Sequence, residues 1–166
     1  MRPKLIKPAP KLQLSLTVDV CAPSLGRSAL RTWLVALGWP PTELDTLLVA
    51  AGEALANAVD HAYPEGSGGP VHLTAEPRID PDGHDHVVLT VSDEGTWRPI
   101  PADPGNRGHG LRLMRSFTAT TTVETTPTGT RVTMISHPRP DPRAAQAGTP
   151  DGADRTTTGH TPPGTY

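Results

Sequence analysis

The sequence predicts an α+β domain, a two-layer sandwich whose mixed, mainly antiparallel sheet carries helices on one face. Three observations lead there. Segments of period-2 alternation recur along the chain, turn-rich connections short enough for hairpins separate two pairs of them, and three segments with helical spacing fall between. Hairpins imply antiparallel pairing, and alternation with one apolar side implies that the helices cover a single face.

Leu12, Leu14, Leu16 and Val18 alternate with Gln13, Ser15 and Thr17, the pattern of a strand with one buried face. From Ala22 to Gly38 the positions Leu25, Ala29, Leu30, Trp33, Leu34 and Leu37 follow a helical repeat, which Gly38, Pro40 and Pro41 end. A second helix is expected from Thr42, read as its N-cap, to about Ala62, before Pro64 and the glycine-rich loop 66–69. Val71–Ala75 and His86–Ser92 read as strands joined through Asp80-Pro81-Asp82-Gly83. Residues 93–107 form a loop, with a short helix from Gly108 to Phe117 behind it. The β-branched runs Thr120–Thr125 and Thr130–Ser136, split by Pro127-Thr128-Gly129, make a final hairpin.

Composition bounds the rest. Among 166 residues there are 20 prolines and 16 glycines, above the usual combined share of roughly 12%. After Ile135 no Val, Ile, Leu, Met, Phe or Trp occurs, so residues 137–166 are expected to be a disordered tail. Residues 1–10 read as a frayed basic leader, which leaves 11–136 as one domain of common size. With 15 basic and 17 acidic residues the net charge is −2, which speaks against a nucleic-acid binder. Cys21 is the single cysteine, so an internal disulfide and a thiolate zinc site are excluded. There is no secretory signal and no apolar run long enough for a membrane span, and a cytoplasmic location is expected.

Three segments carry residues suited to chemistry. On the second helix Glu53, Asn57 and His61 stand four apart on one polar stripe, with Asp60 in the same sector and an apolar arc opposite. Such a stripe suits a hydrated magnesium ion with phosphate oxygens, and equally a solvated helix face. Asp93-Glu94-Gly95 follows a strand; a carboxylate there can accept from an exocyclic amine and Gly95 can let a flat ring approach, although the triplet also reads as a turn. Gly108-His109-Gly110-Leu111 opens the third helix, where unpaired N–H groups favour an anion such as a triphosphate, or where the glycines serve as a hinge. Neither a Rossmann fingerprint nor a P-loop is present. His84 and His86 share a strand face that could bind a metal, but no further His or Cys lies close in sequence.

Taken together, Glu53-Ala54-Leu55-Ala56-Asn57-Ala58-Val59-Asp60-His61-Ala62-Tyr63, Val91-Ser92-Asp93-Glu94-Gly95 and Gly110-Leu111-Arg112-Leu113-Met114 resemble the GHKL ATPase superfamily, the group containing gyrase and histidine kinases. Within it they look most like the anti-sigma-factor serine/threonine kinases, over about residues 11–136. The resemblance implies a Bergerat-type ATP site. Asn57 would hold Mg²⁺, Asp93 would receive the adenine amino group and Gly95 would lie against the base. Gly108, Gly110 and Leu111 would offer backbone donors to the phosphates, with Thr130 on the adenine side. Glu53 would be the general base for a serine or threonine hydroxyl of a partner. His61 would either reach a phosphate or serve a purely structural role. Trp97, followed by Arg98-Pro99, stands where many members have a second glycine, which stiffens and bulks the lid 96–107. Arg107 and Arg112 are candidates for the γ-phosphate or for surface ion pairs.

The implied partners are a sigma factor and an anti-anti-sigma protein, with neither direct nucleic-acid contact nor membrane attachment, and dimerisation through the sheet edge or the first helix. The alternative is a non-catalytic module of the same fold, with or without ATP, acting through protein contacts. A two-component histidine kinase is disfavoured because only about 40 residues precede the second helix, too few for a helical dimerisation segment.

Overall fold

A computed structural model of the chain describes residues 10–63, 68–95 and 109–139. The elements run β1 (Leu12–Thr17), α1 (Ala22–Ala36), α2 (Pro41–His61), β2 (Pro70–Ile79), β3 (Asp85–Asp93), α3 (His109–Phe117), β4 (Thr120–Thr126) and β5 (Gly129–Ile135). Every described strand pair is antiparallel, in the order β1-β2-β3-β5-β4. This is the expected α+β sandwich, with the sheet antiparallel throughout rather than mixed.

Strand alternation sorts the two faces. Val71, Leu73 and Ala75 of β2, Val87, Leu89 and Val91 of β3, and Val132 and Met134 of β5 are buried beneath the helices. Leu30 and Leu34 of α1, Leu47, Leu55 and Ala58 of α2, and Met114 of α3 meet them in one apolar cluster. The other face is polar, and a row of threonines crosses it, with Thr90 opposite both Thr74 and Thr133, and Thr133 opposite Thr122.

Helix ends follow local chemistry. Asp19 Oδ1 accepts from the N–H groups of Cys21 and Ala22 at 2.7 and 3.0 Å, closing the start of α1. Gly38, at φ 66°, ends it: Trp39 N donates to Leu34 O and Gly38 N to Val35 O, each at 2.9 Å. Thr42 is not the N-cap of α2. The helix begins one residue earlier at Pro41, whose missing N–H costs nothing in the first turn, and the Thr42 hydroxyl donates to Glu43 Oε2 at 2.7 Å instead.

Strand β2 runs four residues past Ala75 to Ile79 through Pro77. Its β1 pairing stops at Ala75, so Pro77 lies where only β3 adjoins it, and a residue without an N–H is accommodated on such an edge. The described chain also continues beyond β5. Ser136 is buried, its Oγ accepting from Val87 N at 2.9 Å, and Arg139 reaches back to donate to Gly38 O at 2.8 Å while its guanidinium lies 5.6 Å from the Trp39 ring centroid. Most of the expected leader and tail, residues 1–9 and 140–166, lies outside the described residues. No described helix is long and apolar enough to cross a membrane.

Candidate nucleotide site

The polar stripe of α2 turns toward α3. Glu53 and Asn57 are half-buried, and no hydrogen bond or ion pair reaches either from the described residues. A Cβ on Gly110, in the first turn of α3, would stand 3.0 Å from Glu53 Oε2, 3.4 Å from Asn57 Nδ2 and 3.7 Å from Asn57 Oδ1. A carboxylate and an amide therefore converge on the start of a helix, and glycine at 110 lets α3 come this close to them. Leu111 is partly buried against the core, which fixes this end of α3. His61, in the last turn of α2, is exposed. Gly108, Trp97, Arg98 and Arg107 lie outside the described residues.

Asp93 marks a second locus. It ends β3 and lies opposite Thr130 in the β3–β5 register, on the face that Val87, Leu89 and Val91 turn toward the helices. Its Oδ1 accepts from Gly95 N at 3.0 Å and Thr130 N at 3.3 Å. Burial pushes the Asp93 carboxyl above its ordinary range, and the two backbone hydrogen bonds pull the other way. The acid is thus oriented by the backbone, both bonds falling on Oδ1.

Glycine is required next to it by the protein's own backbone. A Cβ on Gly95 would run into the Ala62 carbonyl at the end of α2, and one on Gly129 would run into the Asp93 carbonyl. The chain leaving β3 therefore turns tightly under the C-terminal end of α2. Asn57 precedes Ala62 by five residues, about 7.5 Å of helix, so the two loci sit at either end of the last one and a half turns.

Tyr63 is the residue that sequence reasoning left without a task. Its hydroxyl donates to Pro70 O at 2.8 Å and accepts from Glu94 N at 3.1 Å. The only signal in the sequence is an amphipathic aromatic just past a helix and before a proline, and its partners lie 7 and 31 residues away.

Two other features belong elsewhere. A concavity of about 300 Å³ touches Asp93 and Thr130, but His72, Ser92 and Arg131 line it from the polar outer face, behind the sheet. His84 and His86, which the sequence reading disfavours as a metal pair, do not share a strand face, since β3 begins only at Asp85. His84 turns to Asp80, its Nδ1 lying 3.5 Å from Asp80 Oδ2 and its N–H donating to Asp80 Oδ1 at 2.8 Å, which builds the β2–β3 turn. Asp82 joins these two in the closest acidic group among the described residues, and that backbone bond holds Asp80 below its ordinary carboxylate value.

Among the described residues, three helices on one face of a five-stranded antiparallel sheet, with glycine-bounded loci at α3 and at the end of β3, make a two-layer α+β domain. The chain belongs to the histidine kinase-like ATPase domain family, whose model matches residues 23–136. It is 30% identical over 145 residues to the serine/threonine-protein kinase BtrW of Bordetella bronchiseptica, covering 78% of this chain and 94% of that protein. Its fold is similar to the crystal structure of the RsbU and RsbW domains of Rv1364c from Mycobacterium tuberculosis, at TM-score 0.60 and 24% identity. That match covers 79% of this chain and 33% of the other, so the chain spans about a third of the solved protein. Family membership carries ATP as the nucleotide.

Proposed function

We propose that the chain is an ATP-dependent protein serine/threonine kinase of the anti-sigma-factor type. It phosphorylates a hydroxyl of an anti-anti-sigma protein in the cytoplasm and, in the alternative state of the switch, sequesters a sigma factor. The observation that carries the reading is the pair Glu53 and Asn57, without a partner among the described residues, close against Gly110 at the start of α3. The kinase name of the relative at 30% identity supports it.

Asp93 accepts from the adenine amino group, with Thr130 beside it on the neighbouring strand. The start of α3, at Gly110 and Leu111, lends N–H donors and a favourable dipole to the phosphates. Asn57 fits a magnesium ion in donor type, since its amide oxygen is a hard ligand, and it stands close to the start of α3 at Gly110. The bound ion supplies charge neutralisation on the phosphates. Glu53 takes the proton of the incoming serine or threonine hydroxyl as that oxygen forms a bond to the γ-phosphorus; the bond between that phosphorus and the β–γ bridging oxygen breaks, and ADP leaves. His61 stands exposed at the mouth of the same helix end, where it can meet a phosphate or the partner.

The test is phosphate transfer from labelled Mg-ATP to the anti-anti-sigma protein of the same cell. Glu53→Gln is expected to keep ATP binding and to lose transfer by about 10²-fold or more. Undiminished transfer by that variant would remove Glu53 from the role of base. Binding without transfer by the unaltered chain would instead support a scaffold acting through contacts alone.

A further inference from the structure

The phenol of Tyr63 ties together three stretches of chain that sequence keeps apart. Tyr63 leaves the end of α2; its hydroxyl donates to the carbonyl of Pro70, which opens β2, and accepts from the N–H of Glu94, which follows Asp93. The ring fills the space over Gly69, where a Cβ would strike it. Burial pushes the phenol above its ordinary value, so it stays protonated and keeps its donor role at neutral pH. The adjacent residue Ala62 meets Gly95 backbone to backbone. The pair Ala62–Tyr63 thus grips the 93–95 turn at two successive residues, Glu94 through its N–H and Gly95 through its backbone, and α2, which they follow, carries Asn57 and Glu53.

We infer that Tyr63 is a positioning residue for nucleotide selectivity: its hydroxyl sets the Asp93 carboxylate relative to α2, so preference for a 6-amino purine depends on a phenol acting through the backbone. This rests on the proposed ATP site. Without the hydroxyl, Glu94 N loses its acceptor and the turn can shift away from the helix. The loss falls on the contact that Asp93 makes, not on the phosphate end held by α3.

The experiment measures Mg-ATP and Mg-ITP binding by calorimetry, together with kcat for phosphate transfer, in the unaltered chain and in Tyr63→Phe. ITP presents a 6-oxo group in place of the amine. The variant is expected to bind ATP about fivefold more weakly, with ITP affinity and kcat changed by less than about twofold, so that the ATP/ITP preference falls by about two- to fivefold. Equal losses for both nucleotides, or no loss for ATP, overturn the inference. If the unaltered chain does not prefer ATP over ITP, the reading of Asp93 falls as well, a failure distinguishable from that of Tyr63 alone. Should Tyr63→Phe fail to fold, amide exchange in the unaltered chain decides: Glu94 N–H slowed relative to a free peptide, and slowed further by ATP, supports the link, and exchange at the free-peptide rate refutes it.

Discussion

Gly110 stands close against Glu53 and Asn57, so a side chain there presses on the Glu53 carboxylate and the Asn57 amide. Gly110→Ala is therefore expected to leave the fold intact, since helix interiors tolerate alanine, and to weaken Mg-ATP binding about tenfold as read by titration calorimetry. Gly95 behaves differently. Its missing Cβ is demanded by the Ala62 carbonyl, so Gly95→Ala should cost about 3 kcal/mol of stability in urea denaturation before any effect on nucleotide is seen.

Asp93 makes a prediction in pH. Its carboxyl sits above the ordinary range through burial, so the native state takes up a proton more readily than the unfolded chain. Stability from this group is then greatest below the unfolded value and declines as pH rises toward the folded one. Nucleotide binding has the opposite sign, since only the carboxylate is a pure acceptor. ATP affinity should begin to fall on acidification above about pH 4, the usual carboxylate range, and Asp93→Asn should flatten that limb. An unchanged acid limb in the variant would assign it to another group.

At the scale of elements, α2 does two jobs with its opposite arcs: small and aliphatic residues meet the sheet, and the polar stripe faces α3. That division was legible from periodicity, because the 3.6-residue repeat is a local property of the chain. The place where α1 meets α2 was not. Gly26 lies so near Leu55 that an added Cβ would stand 2.5 Å from its Cδ1, with Leu16 and Leu73 at 3.6 Å. Gly26→Val is expected to destabilise the fold by about 2 kcal/mol, measured as a lower denaturant midpoint at unchanged m-value. The start of α2 shows the same limit on a smaller scale, as Thr42 has the right chemistry for a cap but Pro41 already occupies the first helical position.

For the molecule as a whole, the decisive feature is where the last hairpin inserts. β5, not β4, lies against β3, and this alone sets Thr130 opposite Asp93 and lets Thr130 N hold its carboxylate. The chain then returns through Arg139 to the end of α1, where the guanidinium meets Gly38 O and the Trp39 ring. Arg139→Ala is expected to lower stability by about 1–2 kcal/mol in thermal or urea melts while leaving ATP affinity unchanged, since its side chain meets the α1–α2 corner and Asp85 at the start of β3, the end of that strand opposite to Asp93. A shift in ATP affinity of the same size would tie that corner to the site.

The chain's own order of residues was enough to determine the kinds of elements, their succession and the residues with chemical capacity on each, because alternation, helical spacing and turn chemistry are written within a few neighbouring positions. The strand order, the close approach of Gly110 to Glu53 and Asn57, the grip of Ala62 and Tyr63 on the turn after Asp93 and the return of Arg139 were decided only in three dimensions. Each joins residues far apart in sequence, and such meetings depend on the shape of the packed core, to which no short run of residues has access.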